Sequence, residues 1–284
     1  MPTKKIALII HAGAGSHPKN LERAEKIQKK LGQLCKQGYR YLKNHSALDT
    51  VTEVIRWLED WPETNAGTGS ILQADGVARL SASLMDGHAG RFSGVVNIEK
   101  IKNPILVAKL LQSEKDRVLS NGGAKKFALQ KGFKLFDPRT KESIKRWERL
   151  KKGKCGTVGA CALDRNGRLA AATSTGGRGM ERTSRVSDSA TPAGNFANDY
   201  AACSATGVGE NIVDESLCSR LVLFAKEWDS LEKSFTRTFK EMRTRKRLLA
   251  AIGLDRKGQV FWNQTTDILY YSYSTPYKSE SFVL

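Results

Sequence analysis

The 284-residue sequence is short of acid: 29 Asp and Glu stand against 47 Lys and Arg, a net charge of +18. It has no C-x-x-C pair, and Cys35, Cys155, Cys161, Cys203 and Cys218 are odd in number. Neither a complete disulfide framework nor a zinc site fits that spacing, so the thiols read as reduced and the protein as cytoplasmic. Its four histidines, His11, His17, His45 and His88, are scattered without metal spacing. Neither G-x-S-x-G nor G-x-x-x-x-G-K-[ST] occurs, which leaves serine-triad and P-loop chemistry without support. No run approaches the roughly 18 apolar residues that span a bilayer. The opening "KIALII" stops at His11, too short for a secretory signal, and is expected to be a first strand.

What is present suits a chain with a substantial core: 40% apolar and 27% charged residues, with no repeat, low-complexity tract or linker to divide it. One domain over residues 1–284 is expected. Residues 100–154 hold 17 Lys and Arg but 5 Asp and Glu, a local net charge of +12. No stacking aromatics are interleaved with these charges and no nucleic-acid motif accompanies them, so they read as a solvated helical face.

Periodicity predicts helices over 19–43 and 46–60, the latter with the stripe Leu48, Val51, Val54, Ile55, Leu58. "HAGAGS" and "WPETNAGTGS" read as glycine loops, and strands are expected near 77–85 and 92–98. Helices follow over 103–119, 122–130 and 140–151, then 210–226 and 229–244. Further strands are predicted at 201–206, 248–254, 258–263 and 267–273.

From residue 154 the texture changes: "KCGTVGACALDRNGRLAAATSTGG" is built mostly of small residues and hydroxyls. "TVGACALD" and "RLAAATST" form a hairpin around "RNG". With a three-residue loop and Gly167 left-handed, Asp164 pairs with Arg168 and Thr157 faces Thr175 across the open end. A two-residue loop shifts the pairing by one and separates the two hydroxyls. Threonine is a weak nucleophile unless a base adjoins it, and a threonine at a chain N-terminus can use its own α-amine. That amine, with an ordinary pKa of about 7.7–8.0, is partly neutral near physiological pH. An internal threonine needs cleavage immediately before it, and a preceding glycine eases the strained geometry. Gly156-Thr157 has that form.

An ordered series of motifs surrounds this dipeptide. "HAGAG" is similar to an opening H-G-G-A-G, "NAGTGS" precedes "SASLMDG", and "KNPILVAKLL" leads to "RWERLKKGKCGTVGACALDRNGRLAAATSTGG". "SRVSDSATPAGNFA" and "SATGVGE" complete the set. Over about residues 5–265 the chain resembles the plant-type asparaginase and isoaspartyl peptidase family of N-terminal nucleophile hydrolases. The resemblance implies an α/β (α+β) fold, the four-layer αββα sandwich, and autocleavage into a 1–156 alpha and a 157–284 beta subunit. It implies an amide hydrolase that releases L-aspartate from L-asparagine or β-aspartyl dipeptides.

The roles carry over by position. Thr157 resembles the nucleophile released after Gly156, and Thr175 the hydroxyl that assists it. Thr206 and the Gly207 N–H resemble the oxyanion hole. Arg185 resembles the clamp for the substrate α-carboxylate and Asp188 the acceptor for its α-ammonium, with Gly209 nearby. "LEDWPETNAGT" resembles the family's sodium loop, with backbone carbonyls of Leu58, Glu59, Trp61, Thr64, Ala66 and Thr68 around a structural sodium ion; the chemistry itself needs no cofactor. Asn65 is expected to orient the precursor loop. The family pairs two such heterodimers; the expected ligand is a small molecule or dipeptide, with no membrane and no nucleic acid. The departures, Ala12, Ser184, Ser187, Ala190 and a shortened "TPAGNFA", alter the pocket rim and put leaving-group preference in question. A short basic linker precedes Gly156. Glycosylasparaginase- and taspase-like enzymes share this chemistry, and an uncleaved scaffold with a nucleic-acid-binding basic face is the rival from another class.

Overall fold

The computed structural model describes residues 5–16, 21–149 and 156–282. Strand β1 (Ala7–Gly15) starts from the buried apolar run Ala7–Ile10. It does not stop at His11, where the sequence suggested a loop. A bulge between His11 and Ala14 lets it resume pairing with β11 (Ile268–Ser274). Gly13 occupies that bulge at φ +112, where a Cβ would stand 3.1 Å from Gly156 Cα. Helices α1 (Leu21–Leu42) and α2 (Ala47–Asp60) follow their apolar stripes, burying Leu31, Leu34 and Cys35, and Val51, Val54, Ile55 and Leu58. Ser46 caps α2, its hydroxyl accepting the Asp49 N–H at 3.1 Å.

The larger sheet adds β2 (Leu80–Asp86), β3 (Arg91–Ile98), β4 (Val118–Ser120), β5 (Val158–Leu163), β6 (Leu169–Thr175) and β12 (Ser279–Ser281). Its order is β12-β11-β1-β5-β6-β2-β3-β4, antiparallel except for β3 with β4. The smaller sheet runs β10-β9-β8-β7, from β7 (Asn195–Ala197), β8 (Ala201–Gly207), β9 (Leu249–Asp255) and β10 (Val260–Gln264). α1, α2 and α3 (Pro104–Leu111) cover the outer face of the large sheet. α7 (Leu217–Glu227) and α8 (Leu231–Thr244) cover the outer face of the small one. The result is the expected αββα sandwich.

Between the sheets, small side chains such as Ala7, Cys161, Ala171, Ala197, Ala202 and Ala250 interleave with larger ones, Ile9, Leu163, Leu169, Ile252 and Leu254 among them. Small residues let the two pleated faces approach closely. The other alanines of these strands face outward, Ala160, Ala162, Ala170 and Ala172 towards the helices on the large sheet and Ala201 and Ala205 towards α7 and α8.

The hairpin takes the three-residue loop. Asp164 N–H donates to Arg168 O at 3.0 Å, Gly167 is left-handed at φ +76, and β5 pairs with β6 from Leu163↔Leu169 to Val158↔Ser174. Elsewhere the boundaries needed correction. The helix expected over 103–119 ends at Leu111, and residues 118–120 form edge strand β4. The helix expected over 210–226 is two, α6 (Gly209–Asp214) and α7, broken at Ser216, which is left-handed at φ +47. α4 (Asn121–Gln130) and α5 (Lys141–Arg149) form as expected, while the basic linker, with Cys155, and also His17 lie outside the described residues. Among the described residues no helix is long and apolar enough to cross a membrane.

Candidate active site

At the open end of the β5–β6 hairpin the Thr157 hydroxyl donates to Thr175 Oγ1 across 3.3 Å, and both residues are buried. Thr175 Oγ1 also accepts the Gly177 N–H at 3.1 Å, which fixes it from behind. The sequence-derived register therefore brings the two hydroxyls together. Asn65 braces the same corner. Its Oδ1 accepts the Ile71 N–H at 2.9 Å, its Nδ2 donates to Gly177 O at 2.5 Å, and its carbonyl accepts the Gly176 N–H at 2.8 Å. A Cβ on Gly156 would meet Asn65 Cβ at 3.0 Å, so a larger residue before Thr157 would press on Asn65.

The strand β8, whose Ser204 packs beside Gly159 of β5, ends in Thr206 and Gly207. Thr206 is fully buried, and its hydroxyl has no hydrogen-bond partner among the described residues. An orphan hydroxyl in a dry interior carries a cost that a developing oxyanion would repay. Gly207 stands at φ +136, with a would-be Cβ 2.7 Å from Leu249 Cα; no other residue fits that turn.

Arg185, Asp188 and Gly209 also converge. A Cβ on Gly209 would lie 2.6 Å from Arg185 Nη2 and 2.7 Å from Asp188 Oδ1. Burial pushes the Asp188 carboxyl up to about 7 despite the opposing field of Arg185. One of its oxygens, Oδ2, has no partner among the described residues. Arg185, the clamp that the resemblance implied, is paired with a neighbouring carboxylate. Its Nε and Nη2 donate to the Glu210 carboxylate at 3.0 and 2.9 Å, a bidentate pair that occupies the guanidinium fork. Glu210 was not singled out from sequence, although it closes the "GVGE" motif.

Two supports were invisible in the sequence. Asn97, left-handed at φ +52, donates from Nδ2 to Arg185 O at 3.1 Å, and its own N–H reaches Ser81 Oγ at 3.0 Å. Between the sheets, His11 Nε2 meets Ser204 Oγ at 2.9 Å, and Ser204 Oγ meets Thr173 Oγ1 at 2.9 Å. Burial holds the His11 imidazole neutral, down to about 3, against an opposing contribution from the Thr157 backbone. Gly159 makes room for this chain of bonds.

In the loop after α2, the carbonyls of Leu58, Trp61 and Ala66 lie 2.7, 2.9 and 3.4 Å from Thr64 Oγ1. One hydroxyl proton cannot serve three acceptors. The Glu59 carbonyl instead accepts the Thr68 N–H at 2.8 Å. The Glu59 carboxyl, pushed up to about 8 by burial, accepts from Ser174 Oγ at 2.7 Å and Ile105 N–H at 3.1 Å. Among the described residues no group of three or more His, Cys, Asp or Glu gathers as a metal site.

A buried threonine pair beside a tightly packed glycine, an orphan buried hydroxyl and an Arg–Asp cluster are the groups that amide hydrolysis calls for. The family model described as asparaginase matches residues 4–155 and 149–284. The chain belongs to the asparaginase family. Among curated relatives, the isoaspartyl peptidase/L-asparaginase of Synechocystis sp. is 41% identical, covering 94% of this chain and 87% of that protein. The plant-type L-asparaginase of Pyrococcus furiosus is 39% identical, with 78% and 80% covered. The isoaspartyl peptidase of Escherichia coli is 35% identical, with 72% of each chain covered. Within this asparaginase family member, every candidate site residue falls in the two halves of the match.

Proposed function

We propose that this chain cleaves itself between Gly156 and Thr157 and that the new N-terminal threonine hydrolyses L-asparagine and β-aspartyl dipeptides, releasing L-aspartate. The observation that carries the reading is the buried Thr157–Thr175 hydroxyl pair at 3.3 Å. The names of the relatives support the substrate class.

In the proposed mechanism the α-amine of Thr157 takes the proton of its own hydroxyl as Oγ1 attacks the β-carbonyl. Thr175 holds that oxygen in place. Charge develops on the carbonyl oxygen, which the Thr206 hydroxyl and Gly207 N–H meet, each worth about 3 kcal/mol in such a site. The C–N bond breaks, the protonated amine gives its proton to the departing ammonia or amino acid, and an ester joins aspartyl to Thr157. Water then cleaves the ester, with the amine again taking the proton. Arg185 holds the α-carboxylate once Glu210 yields it, and Asp188 with Gly209 receives the α-ammonium. That charge pair favours a free amino acid end over an internal peptide segment, which speaks against a taspase-like substrate.

The two fragments would stay together because their strands alternate within one sheet: β1 lies between β11 and β5, and β6 between β5 and β2. Pairing of two such heterodimers is part of the proposal. So is a sodium ion in the loop after α2: the acceptor excess around Thr64 fits a hard cation held by carbonyls of Leu58, Glu59, Trp61, Thr64, Ala66 and Thr68. Its charge would stiffen the loop that presents Asn65. A cytoplasmic location accords with the buried thiols of Cys35, Cys161, Cys203 and Cys218.

The test compares purified wild type with Thr157→Ala on L-asparagine and β-Asp-Leu, with a denaturing gel alongside. Wild type should yield fragments of roughly 17 and 14 kDa, from ~110 Da per residue, and release aspartate; the variant should do neither. Aspartate release by the alanine variant at the wild-type rate refutes the nucleophile.

A further inference from the structure

The turn that follows Thr175 launches one cation that the mechanism above does not use. Arg178 is exposed, and its guanidinium makes no hydrogen bond among the described residues; its nearest anion is Glu210 Oε1, 3.8 Å from Nη1. That is the same carboxylate that occupies Arg185 at 2.9 Å. The base of Arg178 is fixed, however. Its N–H donates to Glu181 Oε1 at 3.2 Å, and Glu181 is buried against Gly177, whose Cβ would lie 1.9 Å from that oxygen. Gly177 N–H in turn holds Thr175 Oγ1. Arg178 therefore springs from the turn that holds Thr175, and through the shared Glu210 carboxylate its guanidinium stands beside the cluster of Arg185, Asp188 and Gly209.

A count of substrate charges says what this second cation is for. Asparagine carries one carboxylate and one ammonium, which Arg185 and Asp188 satisfy. A β-aspartyl dipeptide carries a second carboxylate, on the amino acid that leaves. We propose that Arg178 recognises the carboxylate of the leaving residue and so tunes this site toward β-aspartyl dipeptides over substrates that lack that group. The inference rests on the function proposed above. Its chemistry is a charge-assisted hydrogen bond at a half-open rim, weaker than a buried one and sensitive to salt.

The experiment is a two-by-two cycle: wild type and Arg178→Gln, each assayed on β-Asp-Leu and on its C-terminal amide, with L-asparagine as reference and Arg178→Lys as the conservative variant. Wild type should prefer the free acid, and the ratio of kcat/KM for acid over amide should fall about tenfold in Arg178→Gln. Arg178→Lys should retain most of the preference. Because the readout is a ratio, a general loss of folding or maturation does not move it. A ratio of one in wild type, or a ratio unmoved by Arg178→Gln, overturns the inference while leaving the proposed function standing. A self-cleaved wild type that hydrolyses none of the three substrates removes the function and this inference with it.

Discussion

Substrate-free Asp188, pushed up to about 7 by burial, sets a pH dependence that can be worked out in sign and size. Only its carboxylate pairs with an α-ammonium. Between about pH 8 and pH 6 the ionised fraction falls from about nine-tenths to about one-tenth, so this group alone lowers kcat/KM about tenfold. The released amine of Thr157, ordinarily near 7.7–8.0, loses its neutral form over the same interval. Two protonations then act on the free enzyme, and log kcat/KM should approach a slope of about 2 on the acid side. Once substrate is bound, its ammonium keeps Asp188 ionised, so kcat should retain a slope of about 1. Asp188→Asn should reduce the kcat/KM slope to about 1 as well as weakening binding. Stability runs the other way. The folded protein keeps a proton on Asp188 that the unfolded chain releases between about pH 4 and pH 7. The group's stabilisation is therefore full below about pH 4 and lost progressively until pH passes about 7, about 4 kcal/mol in all, of which about 2 kcal/mol falls above pH 5.5. Initial rates from about pH 5.5 to 8.5, with urea melts of the substrate-free protein at both ends, measure both effects. A wild-type kcat/KM slope of one that Asp188→Asn leaves unchanged would refute the reasoning.

Three further perturbations separate structure from chemistry. Gly159→Ala should cost about 3–5 kcal/mol in urea unfolding, because the new Cβ would stand 2.0 Å from Ser204 Oγ and 2.2 Å from His11 Nε2 and must break their buried bonds. An unfolding midpoint equal to wild type would show the inter-sheet network to be soft. Thr206→Val should leave stability equal or slightly higher, since the hydroxyl it removes is buried and unpaired, yet lower kcat about 100-fold or more. A kcat within twofold of wild type would exclude Thr206 from the oxyanion site. Asn65→Ala removes the brace on Ile71 N–H and Gly177 O, so precursor cleavage followed by gel should slow markedly; cleavage at the wild-type rate would leave Asn65 a plain loop residue.

Much of this architecture was legible before any coordinates. The stripe Val51, Val54, Ile55, Leu58 repeats with the helical period and does turn inward. The "RNG" turn, with glycine at the position that needs positive φ, set the β5–β6 register, and that register alone put Thr157 opposite Thr175. These are local instructions, written within a few residues of where they act. Tertiary structure decided what depends on residues far apart in the chain. Glu210 reaches Arg185 only because α6 follows β8 across the site. Gly159 must be glycine only because His11 and Ser204, 193 residues apart, bond through the space beside it. The edge strands β4, β7 and β12 are three residues each, too short for an alternating pattern to announce them. β1 outran its predicted end because a neighbouring strand, not its own composition, supplied the hydrogen bonds beyond His11. Periodicity and turn chemistry are properties of a segment, whereas charge pairing, orphan hydroxyls and shifted carboxyls belong to a place in space, and folding alone creates that place.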